Sequence, residues 1–325
     1  MTLLLGMPDT EYHATQAISF HFLLDVERRG PAYAIGRLRG QVERKPSDAM
    51  RLGTLCHLSV LEGDDALAKA TACVPPTYWT AAPDMKPWSG RAKFCKEWEA
   101  ANAGQATPLT YPDGPQPEEK PWNWNAGPCK DWREQMEGAG KIIMDAGEAG
   151  MLVNMRRAAM DVQEAAGILR MGIPEASFMA QEHGAPIKAR LDWIQATGTS
   201  VADWSGLMDL KTCENVDDFQ DEAWRYLYHR QAAWYQWIVQ QETGRQLPFC
   251  LLALEKGWPH RCRVYDIPEA ILADAHAVNM RQLELVAGLW CRDAWPKDLS
   301  ASRQAFRAPG WIESRQARDA NADPY

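Results

Sequence analysis

Two short apolar runs between residues 187 and 212 each end on an acid, and this stretch narrows the possible folds more than any other. The first closes Ala189-Arg190-Leu191-Asp192, and the second closes Gly206-Leu207-Met208-Asp209 and continues Leu210-Lys211. The alternation in Met208-Asp209-Leu210-Lys211 is that of a strand with unlike faces. At a period of two, Asp209 and Lys211 share one side while Met208 and Leu210 turn to the core. If the strand ending at Asp192 lies beside it, two carboxylates and one ammonium meet at one spot. Carboxylate oxygens so placed suit a hard divalent cation such as magnesium or manganese. A lysine beside such a cation can hold and polarise a water. An isolated Asp-x-Lys is more often a solvated strand edge, so the surrounding elements must carry the argument.

The whole chain sets wide bounds. Its 325 residues, 46% hydrophobic, can fill one large core or two. A net charge of −8 excludes a global basic field, though not a local positive groove. Cys56, Cys73, Cys95, Cys129, Cys213, Cys250, Cys262 and Cys291 form no Cys-x-x-Cys pair. That pattern argues against a structural zinc site and fits thiols in a reducing cytoplasm. The first residues lack the basic segment and apolar length of a signal peptide, and no apolar run is long enough to span a bilayer. The expectation is a cytoplasmic protein with no membrane partner.

Four regions follow from texture. Residues 1–74 read as helical, with starts at Pro8-Asp9 and Ser19 and a short helix from Ala32 to Leu38. A further helix capped by Ser47 or Asp48 has Met50, Leu58 and Leu61 as its buried stripe. In that helix Gly53 permits close approach of another backbone, and His57 lies one turn on. Residues 75–135 are rich in proline and tryptophan and read as a long irregular insertion, with one helix from Gly90 to Asn102. There Lys86, Arg91, Lys93 and Lys96 stand beside aromatics that either touch a nucleic-acid strand or pack on one another. Residues 136–296 form the core. Helix from Asp131 to Met171 breaks near Gly147–Gly150, and a hairpin follows, Glu175–Gln181 and Pro186–Ile194 about a turn at 182–185. Next come a strand over Leu207–Lys211 and one long helix from Asp217-Asp218 to Gly244. Strands at Phe249–Leu254 and Arg261–Tyr265 lead to a last helix over 268–292. Residues 297–325 are a polar tail. On the long helix Tyr228, Gln231 and Tyr235 share a face next to the strand bearing Lys211.

The order Gly53-x-x-x-His57, Leu191-Asp192, Asp209-Leu210-Lys211 and Gln231-x-x-x-Tyr235 resembles the RecB-like branch of the PD-(D/E)XK nucleases. Within that branch the chain is most similar to the RecE (exonuclease VIII) C-terminal nuclease and its phage relatives. Met7-Pro8-Asp9-Thr10-Glu11-Tyr12-His13, Met50-Arg51-Leu52-Gly53-Thr54 and Tyr228-His229-Arg230-Gln231-Ala232-Ala233-Trp234-Tyr235 add to the likeness, which covers about residues 7–296. The resemblance implies an α/β (α+β) restriction-endonuclease-like fold, a mixed central sheet flanked by helices. It implies a Mg²⁺-dependent exonuclease, with Mn²⁺ able to substitute, that digests linear double-stranded DNA 5′ to 3′ and leaves 3′ single strands. The implied partners are DNA ends, a RecT-like single-strand annealing protein and further copies of the chain in a ring. Among site residues, Asp192 and Asp209 would bind the metal with the Leu210 carbonyl, and His57 would join them or line the site. Lys211 would activate the attacking water. Gln231, Tyr235 and Tyr228 would hold the DNA, and Glu175 matches an additional acid. Iron–sulfur relatives carry a cysteine cluster after the Gln-x-x-x-Tyr motif. Here Cys250, Cys262 and Cys291 are too widely spaced for it, so no cluster is expected. Two other readings remain, a silent nuclease fold that binds DNA ends and a structure-specific endonuclease.

Overall fold

A computed structural model describes residues 2–42, 47–80, 84–89, 91–106, 108–113 and 117–297. The polar tail, beyond its first residue, lies outside the described residues. Strand β1 (Thr2–Leu4) precedes helices α1 (Asp9–Ala14), α2 (Phe20–Arg29), α3 (Pro31–Leu38) and α4 (Asp48–His57). A π-turn at Leu58–Glu62 joins α4 to α5 (Asp64–Ala70). The insertion, preceded by strand β2 (Thr71–Cys73), holds β3 (Thr77–Trp79), β4 (Asp84–Pro87), α6 (Lys93–Ala101), β5 (Thr110–Asp113) and β6 (Glu119–Pro121). It passes through α7 (Gly127–Gly138) and β7 (Ile142–Met144) to α8 (Ala146–Asp161) and α9 (Gln163–Leu169). The core continues as β8 (Gly172–Glu182), β9 (Ala185–Ala196), β10 (Trp204–Cys213), α10 (Phe219–Tyr226) and α11 (Tyr228–Thr243). It ends with β11 (Phe249–Glu255), β12 (Cys262–Asp266) and α12 (Glu269–Arg292).

Six strands form one mixed sheet in the order β1-β8-β9-β10-β11-β12. The hairpin β8–β9 turns on His183 and Gly184, both at positive φ, as a two-residue hairpin turn requires. Strands β10 and β11 pair in parallel, so a crossover must join them, and α10 with α11 supplies it. One sheet face, with Ala189, Leu191, Leu207 and Leu251, packs against Leu23 of α2, Trp234 and Ile238 of α11, and Leu283 of α12. The other, with Trp193, Met208, Leu210 and Leu252, packs against Leu55 and Cys56 of α4 and Leu152 and Met155 of α8. Burying Met208 and Leu210, at about 1.5–3 kcal/mol each, holds the register of β10, because a one-residue slip would exchange its two faces.

Several expectations change. The insertion is built rather than irregular: antiparallel β3–β6 encloses antiparallel β4–β5. Its tip closes on its own rings, Trp88 with Trp98 and Tyr111, and Phe94 with Tyr111. Gly147–Gly150 opens α8 instead of breaking a helix, because Asp145 and Glu148 form a reciprocal capping box there. The long helix after β10 is two helices, divided at Leu227, whose φ is +62°. Of the expected stripe Leu61 is buried as read, but Met50 is exposed, and Leu55 and Cys56 form the buried side of α4. A Cβ at Gly53 would meet nothing within 4 Å, so among the described residues no other element closes on that side of the glycine.

Candidate active site

Strands β9 and β10 pair from Trp204 only as far as Met208, opposite Trp193, and then diverge. Beyond that fork the ladder is continued by a side chain: the Leu210 amide donates to Asp192 Oδ2 at 2.8 Å. The Leu210 carbonyl is engaged as well, 3.0 Å from His57 Nε2 at the end of α4. One residue of β10, Leu210, thus gives its N–H to a carboxylate and its carbonyl to an imidazole, both brought by other elements.

The alternation of the hairpin reverses at this point. Ala176 and Phe178 lie in the same core as Ala189 and Leu191, yet Ile194 reaches that core from the opposite parity and Ile173 packs against it. Register is unbroken across the change, with Pro174 opposite Trp193 and Ala176 opposite Leu191. The residues between are Glu175 and Asp192, so the two acids stand across from each other where the faces switch. Glu175 has φ +50°, a conformation that costs a residue with a side chain about 1–3 kcal/mol. Its carboxylate lies 3.8 Å from His57 Nδ1, and Asp192 Oδ2 lies 3.6 Å from His57 Nε2. Donor atoms of His57, Glu175 and Asp192 all fall within 4.8 Å of one another. Burial opposes charge on His57, but Asp192 and Glu175 outweigh it and raise the imidazole to about 9.

Asp209 and Lys211 leave β10 on the side expected and pair with each other, Nζ to Oδ2. Burial, and then the charge of Asp192, push Asp209 up to about 7 despite that lysine. Its other oxygen, Oδ1, is buried and accepts no hydrogen bond. Burial works against the Lys211 ammonium, yet Asp209 and Asp192 hold its pKa above the ordinary lysine value. Tyr228 lies under the ammonium, ring centroid to Nζ 4.8 Å. On α11 the Gln231 amide donates to the Tyr235 hydroxyl at 2.9 Å, and both side chains are buried. Burial raises the Tyr235 phenol well above its usual range, and the nearby Asp209 adds to the effect.

Every residue expected at the site therefore converges on the fork, with a different division of labour. Glu175 stands in the tight cluster with His57 and Asp192, while Asp209 is committed to Lys211. The donor set suits a divalent cation. Burial and the neighbouring Asp192 raise Asp209 even with Lys211 paired to it, and Asp209 Oδ1 has a lone pair free, so a further positive charge is favoured here. A cation held here would exchange the His57–Leu210 contact for coordination by either group. A cavity of about 910 Å³ opens elsewhere, between α4, α7 and Trp124, and shares no residue with this cluster.

Three further residues shape the site. Arg190, two positions before Asp192, donates to Ser177 Oγ, Asp9 and the Met7 carbonyl, and lies 3.8 Å from Glu175. Tyr12 of α1 is covered by Lys188 and Arg190, whose charges sit 4.6 and 4.4 Å from its ring centroid. Glu62, on the π-turn after His57, has its carboxyl raised by burial and by Glu175. The alternation Lys188-Ala189-Arg190-Leu191-Asp192 could have revealed Arg190. Tyr12 stands in the Met7–His13 phrase of the family likeness, where nothing marks it as a site residue, and Glu62 leaves no local trace in sequence.

A mixed sheet that forks at an Asp, followed on the next strand by Asp-x-Lys, defines a PD-(D/E)XK nuclease fold. Residues 136–307, more than half of the chain, match the family described as a PDDEXK-like domain of unknown function (DUF3799), and the chain belongs to that family. A solved structure from Eubacterium rectale, described as "Putative exonuclease", shares the fold with a TM-score of 0.50. That alignment covers 95% of this chain and 96% of the other at 14% identity. No curated protein matches the chain.

Proposed function

We propose that the protein is a divalent-metal-dependent nuclease, and specifically an exonuclease acting on the ends of linear double-stranded DNA with Mg²⁺, Mn²⁺ being able to replace it. The observation that carries this reading is the intact Asp192, Asp209 and Lys211 set at the fork, with Lys211 Nζ fixed on Asp209. Asp192, Glu175 and Asp209 Oδ1 would hold the ion with His57 or the Leu210 carbonyl. The bound ion supplies charge relief for the phosphodiester and lowers the pKa of a water. Lys211 has three donors and gives one to Asp209, so two remain to orient that water and a phosphate oxygen. In the metal-free protein Asp209 and Asp192 hold it cationic, which suits a positioning group and charge stabiliser. Tyr235 and Gln231, now bonded to each other, would open that bond to grip the phosphate of the terminal nucleotide.

The likeness in fold to a protein described as an exonuclease supports the preference for ends. Polarity 5′ to 3′, a 3′ single strand passed to an annealing protein in recombination, and a RecE-like or phage setting extend this reading from the sequence resemblance. A ring of subunits would reconcile the chain's charge of −8 with DNA tracking. The complete catalytic set speaks against a silent fold.

Purified protein is incubated with linear duplex labelled at one 5′ end and with closed circular duplex, in Mg²⁺ or EDTA. Early labelled mononucleotides from the linear DNA alone, and only with metal, are expected. Asp209→Ala and Lys211→Ala should each lower the rate by about 10²–10³-fold, the scale of losing a transition-state charge contact. Cut circles would point to an endonuclease, and intact DNA in every tube would overturn the reading.

A further inference from the structure

Leu227 adopts a left-handed backbone, φ +62° and ψ +36°, between α10 and α11, a conformation uncommon for a residue of its bulk. The break has a specific consequence. In a continuous helix residues two apart do not face each other, so the rings of Tyr226 and Tyr228 would diverge. Here they stack, with centroids 5.8 Å apart and planes at 27°. Tyr228 is the inner member, half-buried beneath the Lys211 ammonium. Tyr226 is the outer member, 46% exposed, with the exposed Arg225 guanidinium 5.0 Å from its centroid. The column of Lys211, Tyr228 and Tyr226 thus runs from the buried centre of the site to solvent. Leu227 and Tyr228 pack against the core, whereas Tyr226 presents its ring to water.

We propose that Tyr226, backed by Tyr228, is a stacking platform for the base of the nucleotide next to the scissile phosphate. Arg225, paired at 3.6 Å with Glu222 on an exposed surface, gives up the ring to that base and takes the phosphate of the same nucleotide. Aromatic stacking accepts any base, which suits an enzyme that must digest every sequence. The platform rests on the nuclease reading above, because its ligand is defined by a phosphate at Lys211.

The test uses short duplexes carrying 2-aminopurine at the first, second or third position from the end, with Ca²⁺ in place of Mg²⁺. The wild type and Tyr226→Phe should quench the fluorophore at one of these positions, and Tyr226→Ala and Tyr226→Leu should not. In Mg²⁺ the KM for DNA ends should rise about tenfold in Tyr226→Ala and Tyr226→Leu and return to the wild-type value in Tyr226→Phe. Tyr226→Leu keeps an apolar group of similar reach and decides the matter should the alanine variant fail to fold. Arg225→Ala should lower the salt dependence of end binding by about one phosphate contact. If wild type cleaves DNA while quenching and KM ignore Tyr226, the platform is overturned and the nuclease stands. Tyr226-dependent quenching without cleavage would remove the nuclease and the scissile phosphate with it, leaving Tyr226 as the base contact of a DNA-end-binding fold. Failure to bind DNA ends would overturn both.

Discussion

Asp209 and His57 tie the stability of the metal-free protein to pH in the same direction. Burial and Asp192 raise Asp209 from 3.8 to about 7. For His57 burial pulls the other way, yet Asp192 and Glu175 raise it from 6.5 to about 9. Each folded group keeps its proton over a range where the unfolded chain has released it. Through these two groups the folded state binds more protons from about pH 4 to 9, and their contribution to stability falls as pH rises through that window, opposed in part by His229, His276 and Lys188, which burial lowers. A divalent cation neutralises the carboxylates and displaces those protons. Thermal melts in EDTA should show Tm declining from pH 6 to 9, while the gain in Tm on adding Mg²⁺ grows across the same range. A gain that shrinks toward pH 9 would contradict this account. The acids and the lysine were legible because alternation in β10 fixes their side. The partnership of Glu175 with His57 was not, since it depends on α4 packing beside a fork in the sheet.

The hairpin β8–β9 positions Asp192 through its neighbours. Trp193 lies next to it, buried, with its indole N–H donating to the Ile168 carbonyl at 3.0 Å. A Cβ added at Gly172 would sit 2.3 Å from the Trp193 ring, so that ring or strand must move. Gly172→Ala should cost about 1–3 kcal/mol, the range for overpacking a core, and should also weaken Mg²⁺ binding. Chemical denaturation and calorimetry would check the two effects, and a variant as stable as wild type would remove Trp193 as the anchor of Asp192. Strands β8, β9, β10 and β12 were readable from their pattern and β11 from its continuous apolarity, and helix starts at Pro8-Asp9, Ser19 and Ser47 from their chemistry. The split at Leu227 was not readable, because leucine carries no turn signal and local propensity favours continuing the helix.

Across the molecule, both helical layers and β1 close on one sheet, while the insertion stands partly on its own. Rings Trp88, Phe94, Trp98 and Tyr111 pack together at its tip, and the Trp88 indole N–H donates to Glu99. Strand pair β3–β6 forms the neck. Replacing residues 81–117 by a short Gly-Ser link should therefore leave Tm within about 3 °C, a change worth less than about 1 kcal/mol. Cooperative loss of the whole fold in melts of the deletion would show that the tip belongs to the core. Among the described residues no helix is long and apolar enough to cross a membrane.

Period-two and helical patterns, caps and turn residues were enough to place β8 to β12 and the last helix, and to put Asp209 and Lys211 on one side of a strand. These features are local, so each is written in a few consecutive residues. What the packed chain decided is which distant groups meet: His57 with the Leu210 peptide, Glu175 opposite Asp192 at a reversal of faces, Tyr226 turned onto Tyr228. Burial is the physical reason. Removing water from three carboxylates, an imidazole and an ammonium in one place makes every charge depend on partners far away in sequence.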